Sequence, residues 1–324
     1  MKNRNHSNII LILRLNNNGG MSFNIDQVKS QKGKIAIVTG ANAGLGKEIT
    51  IGLLKLDVKV IMACRNKKKA VSTQLEILKI VPSANIEIME LDLNSLASVR
   101  SFAKAFSDQY QQLHFLIENA GIMIPPFTLT ADGFESQLGV NYLSHFLLTN
   151  LLMPLLNKTA GARIATTSSI AHETGQIDFD NLNAEKSYAK MGAYRQSKLA
   201  CLIFSYELQR RLESAGSNII AVSTHPGVSK TNLFYNLPKI LQLIATPFIP
   251  LLTHSPKKAA LPMLYAALGN DVKGGDYYGP IGFKGMIGEP GKVKPKPHAL
   301  DKAISKRLWE VSEKLTGQKF DIKF

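Results

Sequence analysis

The segment Lys34-Ile-Ala-Ile-Val-Thr-Gly40-Ala-Asn-Ala-Gly44-Leu-Gly46 joins a short apolar, β-branched run to a glycine-rich turn. The run before Gly40 has the pattern of a buried parallel strand, and the residues after Gly46 have the pattern of an amphipathic helix. In this context Gly40 supplies a tight turn, Gly44 lets the backbone approach a pyrophosphate, and Gly46 lets the helix pack closely. The segment therefore predicts a dinucleotide-binding turn with the anion at the helix N-terminus.

The rest of the chain repeats this alternation of apolar strands and helical patterns. Further strands are predicted at residues 58–64, 86–91, 113–117, 162–169, 219–224 and 276–279. Such alternation is typical of a parallel sheet covered by helices. We therefore predict one Rossmann-type α/β domain, a doubly wound parallel sheet of about seven strands with helices on both faces.

Charged residues at strand ends bear on which dinucleotide would bind. Arg65 follows the second strand, at the position where an acidic residue would bind the ribose hydroxyl of NAD and an arginine would accommodate the phosphate of NADP. Arg65 therefore favours NADP, whereas Lys67-Lys-Lys69 reads mainly as the solvated start of a helix. Asp92 follows the third strand, and it is placed either at the adenine edge or as a cap for the helix that starts near Ser95.

Small and amide residues follow the fourth strand. Asn119-Ala-Gly121 would leave room for a cofactor at the carboxyl ends of the strands. The helix predicted over residues 134–156 contains Asn141, which is unfavourable inside a helix unless its side chain is hydrogen-bonded. A functional residue and a satisfied core residue are both open interpretations of Asn141.

Ser168-Ser169 ends the fifth predicted strand, and His145 and His172 lie on either side of it in the sequence. No glycine-flanked nucleophile elbow surrounds either serine. The sequence therefore argues against hydrolysis by a serine, histidine and acid triad.

Tyr194 and Lys198 are four residues apart in a segment with a helical pattern. On a helix this spacing places both side chains on one face, within reach of a common ligand. A free tyrosine has a pKa of about 10, and a neighbouring cation can lower it by the roughly 3 units that proton transfer near pH 7 requires. Most such pairs are surface residues, so the pair alone is weak evidence for catalysis.

Composition limits the classes of partner. The 324 residues are 45% hydrophobic and carry a formal charge of +15, which favours an anionic partner, although a solvated basic surface explains much of the excess. The basic residues are scattered, so a phosphorylated cofactor ranks above a membrane surface, and no nucleic acid is expected. Cys64 and Cys201 are the only cysteines. Their spacing argues against disulfides and a metal site, and it fits a reducing cytoplasm.

One folded domain is expected at residues 33–316. Residues 1–32 are predicted to be a flexible extension, in which Met21 is a candidate native start, and residues 317–324 a C-terminal tail. Residues 233–255 are apolar, but prolines interrupt them and they are too few to span a membrane. This segment fits a lid over an apolar substrate, and peripheral membrane contact is the second interpretation.

Taken together, the motifs resemble the short-chain dehydrogenase/reductase family in order and spacing, from about residue 34 to residue 316. The resemblance rests on Thr39-Gly-x-x-x-Gly-x-Gly46, Asp92-Leu93, Asn119-Ala-Gly121, Asn141, Ser168-Ser169, Tyr194-x-x-x-Lys198 and Pro226-Gly227. Ser169-Ile-Ala-His172 and Gly275-Asp-Tyr-Tyr-Gly279 look most like the retinol dehydrogenase-like branch and its bacterial relatives.

The resemblance implies an NADP(H)-dependent oxidoreductase that interconverts an apolar alcohol with an aldehyde or ketone, often as a dimer or tetramer. Tyr194 would be the general acid/base, and Lys198 would lower the pKa of its phenol and hold the nicotinamide ribose. Ser169 would polarise the substrate oxygen, and Asn141 would support a water in a proton relay. Besides Tyr194 and Lys198, the implied cofactor residues are Gly40, Asn42, Gly44, Leu45, Gly46, Arg65, Asp92, Leu93, Asn119, Ala120, Gly121, Pro226, Gly227 and Thr231.

Glu118 departs from the family pattern, which most often has asparagine at this position. A carboxylate here could weaken cofactor binding near the adenosine side, or it could point to solvent. Because Asn119 is present, the departure leaves the predicted function unchanged.

Two other functions are compatible with parts of the sequence. A non-catalytic NADP-binding sensor or scaffold would share the fold, but such relatives typically lose the tyrosine or the lysine. A nucleotide-sugar epimerase of the extended branch shares Tyr-x-x-x-Lys, but it usually has Thr-Gly-x-x-Gly-x-x-Gly and a larger C-terminal domain. The sequence favours the oxidoreductase over both.

Overall fold

A computed structural model describes residues 23–228 and 254–322. Its strands are β1 (Ile35–Thr39), β2 (Lys59–Cys64), β3 (Ile86–Glu90), β4 (Phe115–Glu118), β5 (Arg163–Thr167), β6 (Ile220–Thr224), β7 (Tyr277–Pro280) and β8 (Pro290–Lys292). In these ranges they form one eight-stranded sheet, ordered β3-β2-β1-β4-β5-β6-β7-β8. The predicted Rossmann-type fold is confirmed, but the strand count of about seven is wrong by one.

The additional strand, β8, pairs antiparallel with β7, whereas the neighbours from β3 to β7 all pair parallel. It consists of Pro290, Gly291 and Lys292, and proline and glycine are depleted in strands. Proline is tolerated at a sheet edge, where its missing N–H faces no partner strand. Sequence pattern therefore does not predict this strand.

Helices cover both faces of the sheet in the described ranges. They are α1 (Gly44–Leu54), α2 (Lys67–Ile80), α3 (Leu96–Gln109), α4 (Ser136–Leu138, Gly139–Leu143 and Ser144–Asn157), α5 (Lys190–Ser214), α6 (Pro256–Ala259), α7 (Leu261–Leu268) and α8 (Lys302–Thr316). One hydrophobic core packs α1, α2 and α7 on the sheet. The other packs α3, α4, α5 and α8 on the opposite face.

The middle part of α4, Gly139–Leu143, is a π-helical turn. The prediction of one helix over residues 134–156 is therefore right in position but misses this irregularity. A π-turn inserts one residue into the helical repeat, and such turns are frequent at functional sites. Asn141 lies at the centre of this turn.

The chain reverses its winding between β1 and β4, which are neighbours in the sheet. The strands after β1 are added first on one side, as β2 and β3, and then on the other side, from β4 onward. In open parallel sheets a crevice forms at the carboxyl ends of the strands at this point. Gly40 follows β1 and Asn119 follows β4, so the fold places both at the crevice.

The folded part extends beyond residues 33–316 at both ends. Phe23, from the predicted extension, stacks on Tyr265 with ring centroids 4.6 Å apart. Phe320, from the predicted tail, is buried with its ring centroid 4.6 Å from that of Trp309. Met21, Thr231 and all but the last two residues of the predicted lid at 233–255 lie outside the described residues.

Candidate active site

Three glycines shape the turn between β1 and α1, each for a different reason. Gly40 has φ +67°, and a Cβ there would lie 3.0 Å from the Cβ of Ala120. Gly44 has φ +49°, and a Cβ there would meet no atom within 4 Å. A Cβ on Gly46 would lie 2.3 Å from the carbonyl oxygen of Gly40. The turn is therefore strained or crowded for any other residue, with open space over Gly44.

The N-terminus of α1 has the properties of an anion site. Its N-cap is Ala43, which makes no side-chain hydrogen bond to the helix, and its first turn, Gly44-Leu45-Gly46, has no acidic residue. The first N–H groups of a helix have no intrahelical acceptor and are attractive to phosphate. Asn42 is held in place beside them, because its carbonyl accepts a hydrogen bond from Thr73 Oγ1 at 2.9 Å.

Asn119 fixes the other wall of the crevice. Its Nδ2 donates to the carbonyl of Thr39 at 2.9 Å, and its N–H donates to Thr39 Oγ1 at 3.0 Å. Its Oδ1 is buried and has no hydrogen-bond partner among the described residues. A buried acceptor left unpaired costs about 1–3 kcal/mol, so a ligand that donates here is favoured. Together with the glycine cradle, this orphaned oxygen fits a dinucleotide.

The predicted adenosine end combines positive charge with one carboxylate. Arg65 is 72% exposed and its Nη1 lies 3.9 Å from Asp92 Oδ1. The adjoining first turn of α2, which contains Lys67-Lys-Lys69, has no acidic residue. Asp92 does not cap α3, because the N-cap is Ser95, whose side chain accepts from the backbone of Ser98. Leu93, next to Asp92, is buried.

The structure brings Gly121, Asn141 and Lys198 together. A Cβ on Gly121 would lie 3.1 Å from Asn141 Oδ1 and 3.2 Å from Lys198 Nζ. Lys198 is 4% exposed, and its Nζ donates to the carbonyl of Thr167 at 3.0 Å. The ammonium is therefore held beside the end of β5, and the absence of a side chain at Gly121 leaves space next to it.

Tyr194 precedes Lys198 by one turn in α5. The predicted helix and its spacing are thus present, and Tyr194 is partly exposed. Among residues 23–228 and 254–322, its hydroxyl makes no hydrogen bond. Its carbonyl accepts from Ser197 Oγ at 2.9 Å, so its contacts within the described structure leave the phenol free for a ligand.

Asn141 is buried and all of its polar groups are in use. Its Oδ1 accepts from the N–H of Ile122 at 2.7 Å. Its Nδ2 donates to the carbonyl of Ile122 at 3.0 Å and to Ser197 Oγ at 2.9 Å. The side chain therefore joins the segment after Gly121 to the helix that contains the tyrosine and the lysine.

Ser168 and Ser169 have different environments. Ser168 is buried, and its hydroxyl donates to the carbonyl of Lys198 at 2.8 Å. Ser169 is partly exposed, and its Oγ accepts from the N–H of Ala171 at 3.2 Å as the N-cap of the turn Ile170–Thr174. An accepting Oγ keeps its own hydrogen for another acceptor. Ser169 is therefore the serine that can donate to a substrate oxygen.

Pro226-Gly227 leaves β6 at the same edge of the sheet. Gly227 has φ +71°, and a Cβ there would lie 2.3 Å from the carbonyl oxygen of Met286. Only glycine fits this conformation and this close approach. The backbone of residue 286 therefore explains why position 227 requires glycine.

Glu118 is not placed as either sequence interpretation supposed. It is 1% exposed, and its carboxylate accepts from Thr149 Oγ1 at 2.5 Å and from Thr166 Oγ1 at 2.7 Å. The side chain lies between β5 and α4, facing neither solvent nor the adenosine end at Arg65. Burial raises the pKa of its carboxyl to about 7, although the two hydroxyl donors oppose the shift.

Sequence reasoning missed the roles of Thr39 and Ser197 as connectors. Thr39 Oγ1 accepts from the N–H groups of Asn119 and Ala120 at 3.0 and 2.9 Å. Ser197 Oγ bridges Asn141 Nδ2 and the carbonyl of Tyr194. A hydroxyl at the end of an apolar strand, or buried between catalytic candidates, is the signal that could have identified them, since buried hydroxyls need partners.

The possible metal ligands and the cysteines of residues 23–228 and 254–322 do not come together in a second site. There, no three or more His, Cys, Asp or Glu side chains form a group that could hold a metal ion. Cys64 and Cys201 are free and buried. No helix within the two ranges has both the length and the apolar character to cross a bilayer.

Comparison with known proteins gives matches along most of the chain. The family described as short chain dehydrogenase matches residues 34–240. Retinol dehydrogenase 14 of Mus musculus is 38% identical over 301 residues, which cover 88% of this chain and 86% of that protein. Polyprenol dehydrogenase of Danio rerio is 37% identical over 303 residues, which cover 92% of this chain and 91% of that protein.

A solved structure agrees with the fold over nearly the whole chain. The crystal structure of a protein from Mycobacterium paratuberculosis is 38% identical and superposes with a TM-score of 0.78. The match covers 93% of this chain and 99% of that one. The sheet and its helices are therefore shared with an experimentally determined relative.

Proposed function

The chain belongs to the short-chain dehydrogenase/reductase family, a family of oxidoreductases, and on that premise we propose that it is an NADP(H)-dependent enzyme acting on an apolar alcohol or carbonyl compound. The main support is the arrangement around Lys198. Its ammonium is buried beside Gly121 and Asn141, one helical turn from a tyrosine whose hydroxyl has no partner in the described structure. A buried cation and a free phenol four residues apart on one helix, and so on the same face, suit proton transfer at one position.

Bound NADP(H) supplies the hydride donor or acceptor. In reduction, Tyr194 gives its proton to the carbonyl oxygen, and in oxidation it takes the proton from the hydroxyl. The Lys198 ammonium stabilises the anion left on Tyr194 when the proton has moved. Ser169 donates to the substrate oxygen and so favours the charge that develops there. Asn141 holds the segment after Gly121 against α5 through Ile122 and Ser197.

The preference for NADP(H) over NAD(H) is proposed from the charge at the adenosine end. Arg65 is exposed, and Lys67-Lys-Lys69 opens the adjoining helix without an acidic neighbour in its first turn. Arginine binds phosphate through paired, charge-assisted hydrogen bonds. Among the described residues, Asp92 is the carboxylate that pairs with Arg65, with Oδ1 3.9 Å from Nη1, and it would compete with the phosphate for the guanidinium.

Replacing Arg65 by serine is expected to weaken NADPH binding by about 10- to 150-fold, since a hydrogen bond to a charged group contributes about 1.5–3 kcal/mol. NADH, which lacks the 2′-phosphate, should bind within about twofold of wild type. Fluorescence titration of the reduced nicotinamide measures both. Lys79→Ser, at the other end of α2, removes the same charge and should leave both affinities unchanged. An equal loss for the two cofactors would contradict the assignment.

The substrate class is proposed from the chemistry of two relatives. Their names state that they act on retinol and on polyprenol, both apolar alcohols. The experiment is to mix the purified protein and NADPH with a panel of aldehydes, ketones and retinoids, and to follow loss of the nicotinamide absorbance. Turnover with apolar members supports the proposal. Tight NADPH binding without turnover across the panel would instead indicate a sensor or scaffold.

A homo-oligomer, a cytoplasmic location and a peripheral membrane contact through residues 233–255 remain proposals. The apolar face of α8 is buried against α4 and α5 of the same chain, so a second copy would use another surface. Analytical ultracentrifugation measures the oligomeric state. Co-sedimentation with anionic and neutral lipid vesicles tests the membrane contact.

A further inference from the structure

His145 lies beneath the candidate active site and connects two of its parts. The ring is 2% exposed. Its Nε2 lies 3.0 Å from Thr39 Oγ1, and its Nδ1 lies 3.0 Å from the carbonyl oxygen of Asn141. Thr39 ends β1, whereas Asn141 belongs to the π-helical turn of α4. His145 itself belongs to α4, so its imidazole bonds the π-helical turn of its own helix at one end and β1 at the other, and forms a bridge between the two elements.

The hydrogen-bond network around Thr39 determines which ring nitrogen carries the proton. The two lone pairs of Thr39 Oγ1 accept from the N–H groups of Asn119 and Ala120, so its hydroxyl hydrogen must be donated outward. The nearest acceptor is His145 Nε2 at 3.0 Å, ahead of the Ile117 carbonyl at 3.4 Å. Nε2 is thus the acceptor, and Nδ1–H donates to Asn141.

Burial also keeps the ring neutral. It lowers the pKa of His145 to about 4, although the bond to the Asn141 carbonyl opposes the shift, and the charge of Lys198 adds to the lowering. At neutral pH a neutral ring has one donor and one acceptor. Both are used here, so the bridge has one arrangement of hydrogen bonds.

Each end of the bridge controls a different part of the site. At one end, the Thr39 hydroxyl orients the backbone of Asn119 and Ala120, which form the cofactor wall next to the orphaned Asn119 Oδ1. At the other end, the carbonyl of Asn141 belongs to the residue whose side chain is held to Ser197, beside Tyr194 and Lys198. The Asn141 carbonyl also accepts from Cys201 Sγ at 3.2 Å.

We propose that His145 is a positioning residue. It fixes the position of the cofactor wall at Asn119 relative to the proton-transfer residues Tyr194 and Lys198. The proposal rests on the function proposed above. It assigns His145 no contact with substrate or cofactor. Its effect is transmitted through Thr39 at one end and through Asn141 at the other.

Two substitutions separate the two ends. Asparagine at position 145 can place an amide N–H near Nδ1 and keep the bond to Asn141, but it cannot reach Thr39. Glutamine can place an acceptor oxygen near Nε2 and keep the bond to Thr39, but it loses the donor to Asn141. We expect His145→Asn to weaken NADPH binding about tenfold, with kcat within threefold of wild type. We expect His145→Gln to lower kcat about tenfold, with NADPH affinity within threefold of wild type. Both magnitudes follow because one hydrogen bond contributes about 0.5–1.5 kcal/mol.

The Thr39 end can be tested a second time. Thr39→Val removes the hydroxyl that His145 accepts from, whereas Thr39→Ser keeps it. Thr39→Val breaks the bond to His145 and also removes the acceptor of the Asn119 and Ala120 N–H groups, so its loss of NADPH affinity should be at least as large as that of His145→Asn. The double variant should lose no more affinity than Thr39→Val alone, because the bond to His145 is already broken. Thr39→Ser should bind NADPH as the wild type does.

His114→Phe is the matched control. His114 Nδ1 accepts from the N–H of Ile35 at 3.2 Å, so it also bonds β1, but at the opposite end of the strand. It should lower the melting temperature without changing NADPH affinity or kcat. The proposal is wrong if both substitutions at His145 leave NADPH affinity and kcat unchanged, as His114→Phe should. It is also wrong if both substitutions alter NADPH affinity alone or both alter kcat alone.

Failure of the proposed function would be recognised separately. If the wild type shows no turnover, amide hydrogen exchange still reports each end of the bridge. His145→Asn should then speed exchange at Asn119 and Ala120, and His145→Gln should speed it across residues 139–146. Unchanged exchange in both variants would overturn the positioning role, whatever reaction the protein performs.

Discussion

Replacing Tyr194 by phenylalanine should lower kcat/KM for carbonyl reduction by about 100- to 10,000-fold, the range attributed to a positioned general acid or base. The substitution removes only the hydroxyl, which has no hydrogen-bond partner among the described residues, so folding should be unaffected. Lys198 keeps its bond to the Thr167 carbonyl, and NADPH affinity should stay within about threefold of wild type. The loss should therefore be confined to the chemical step.

Steady-state kinetics with the best substrate of the panel, together with NADPH titration, measures both quantities. Tyr206→Phe is the control, because Tyr206 lies on the same helix, α5, three turns further along. It should keep kcat/KM within about twofold of wild type. Turnover of Tyr194→Phe at the wild-type rate would rule out the proposed mechanism.

Glu118→Gln should make the protein more stable at pH 8 than the wild type, by up to about 3 kcal/mol. The pKa of Glu118 is raised from 4.5 to about 7 in the folded protein. Below pH 4.5 the carboxyl is protonated in both the folded and the unfolded chain, so the folded protein does not bear the free-energy cost of burying a charged carboxylate. As the pH rises through about 7, the stability that the neutral carboxyl provides is lost, because the unfolded chain has already released the proton.

Urea unfolding between pH 5 and pH 8 checks this, with fluorescence of Trp309, the only tryptophan, as the probe. The difference in unfolding free energy between Glu118→Gln and wild type should grow with pH, whereas other titrating groups cancel in that difference. Glu310→Gln is the control, since that carboxylate is exposed and should give no pH-dependent difference. A difference that is constant between pH 5 and pH 8 would show that Glu118 does not titrate as stated.

The sheet was largely predictable because most of its strands are buried and bounded by clear turn residues. Gly40, Gly44 and Gly46 follow an apolar run and precede a helix, and that local order was enough to predict the turn and its backbone requirements. The pair Tyr194 and Lys198 was predictable as one face of a helix for the same local reason. In both cases the decisive residues are close together in sequence.

The remaining features depend on contacts between distant segments. Nearly every residue of α4 is buried, so one inserted residue leaves no visible change in its apolar pattern, and periodicity cannot reveal the π-turn at Asn141. Glu118 was expected either near the adenosine side or pointing to solvent, and carboxylates are rarely buried. Its partners, Thr149 and Thr166, come from other elements. The contact of His145 with Thr39 likewise needs β1 and α4 to be adjacent, whereas its contact with Asn141 is local to α4.

The aromatic contacts of Phe320 also bear on how the protein is synthesised. Phe146 and Phe204 leave the ribosome well before Trp309 and Phe320, which cover them in the folded chain. Until Trp309 and Phe320 have emerged, this apolar surface lacks its cover, and such surface in an incomplete chain favours aggregation and recruits chaperones. The face of the sheet that α8 covers therefore closes late in synthesis, after α3, α4 and α5 have already been made.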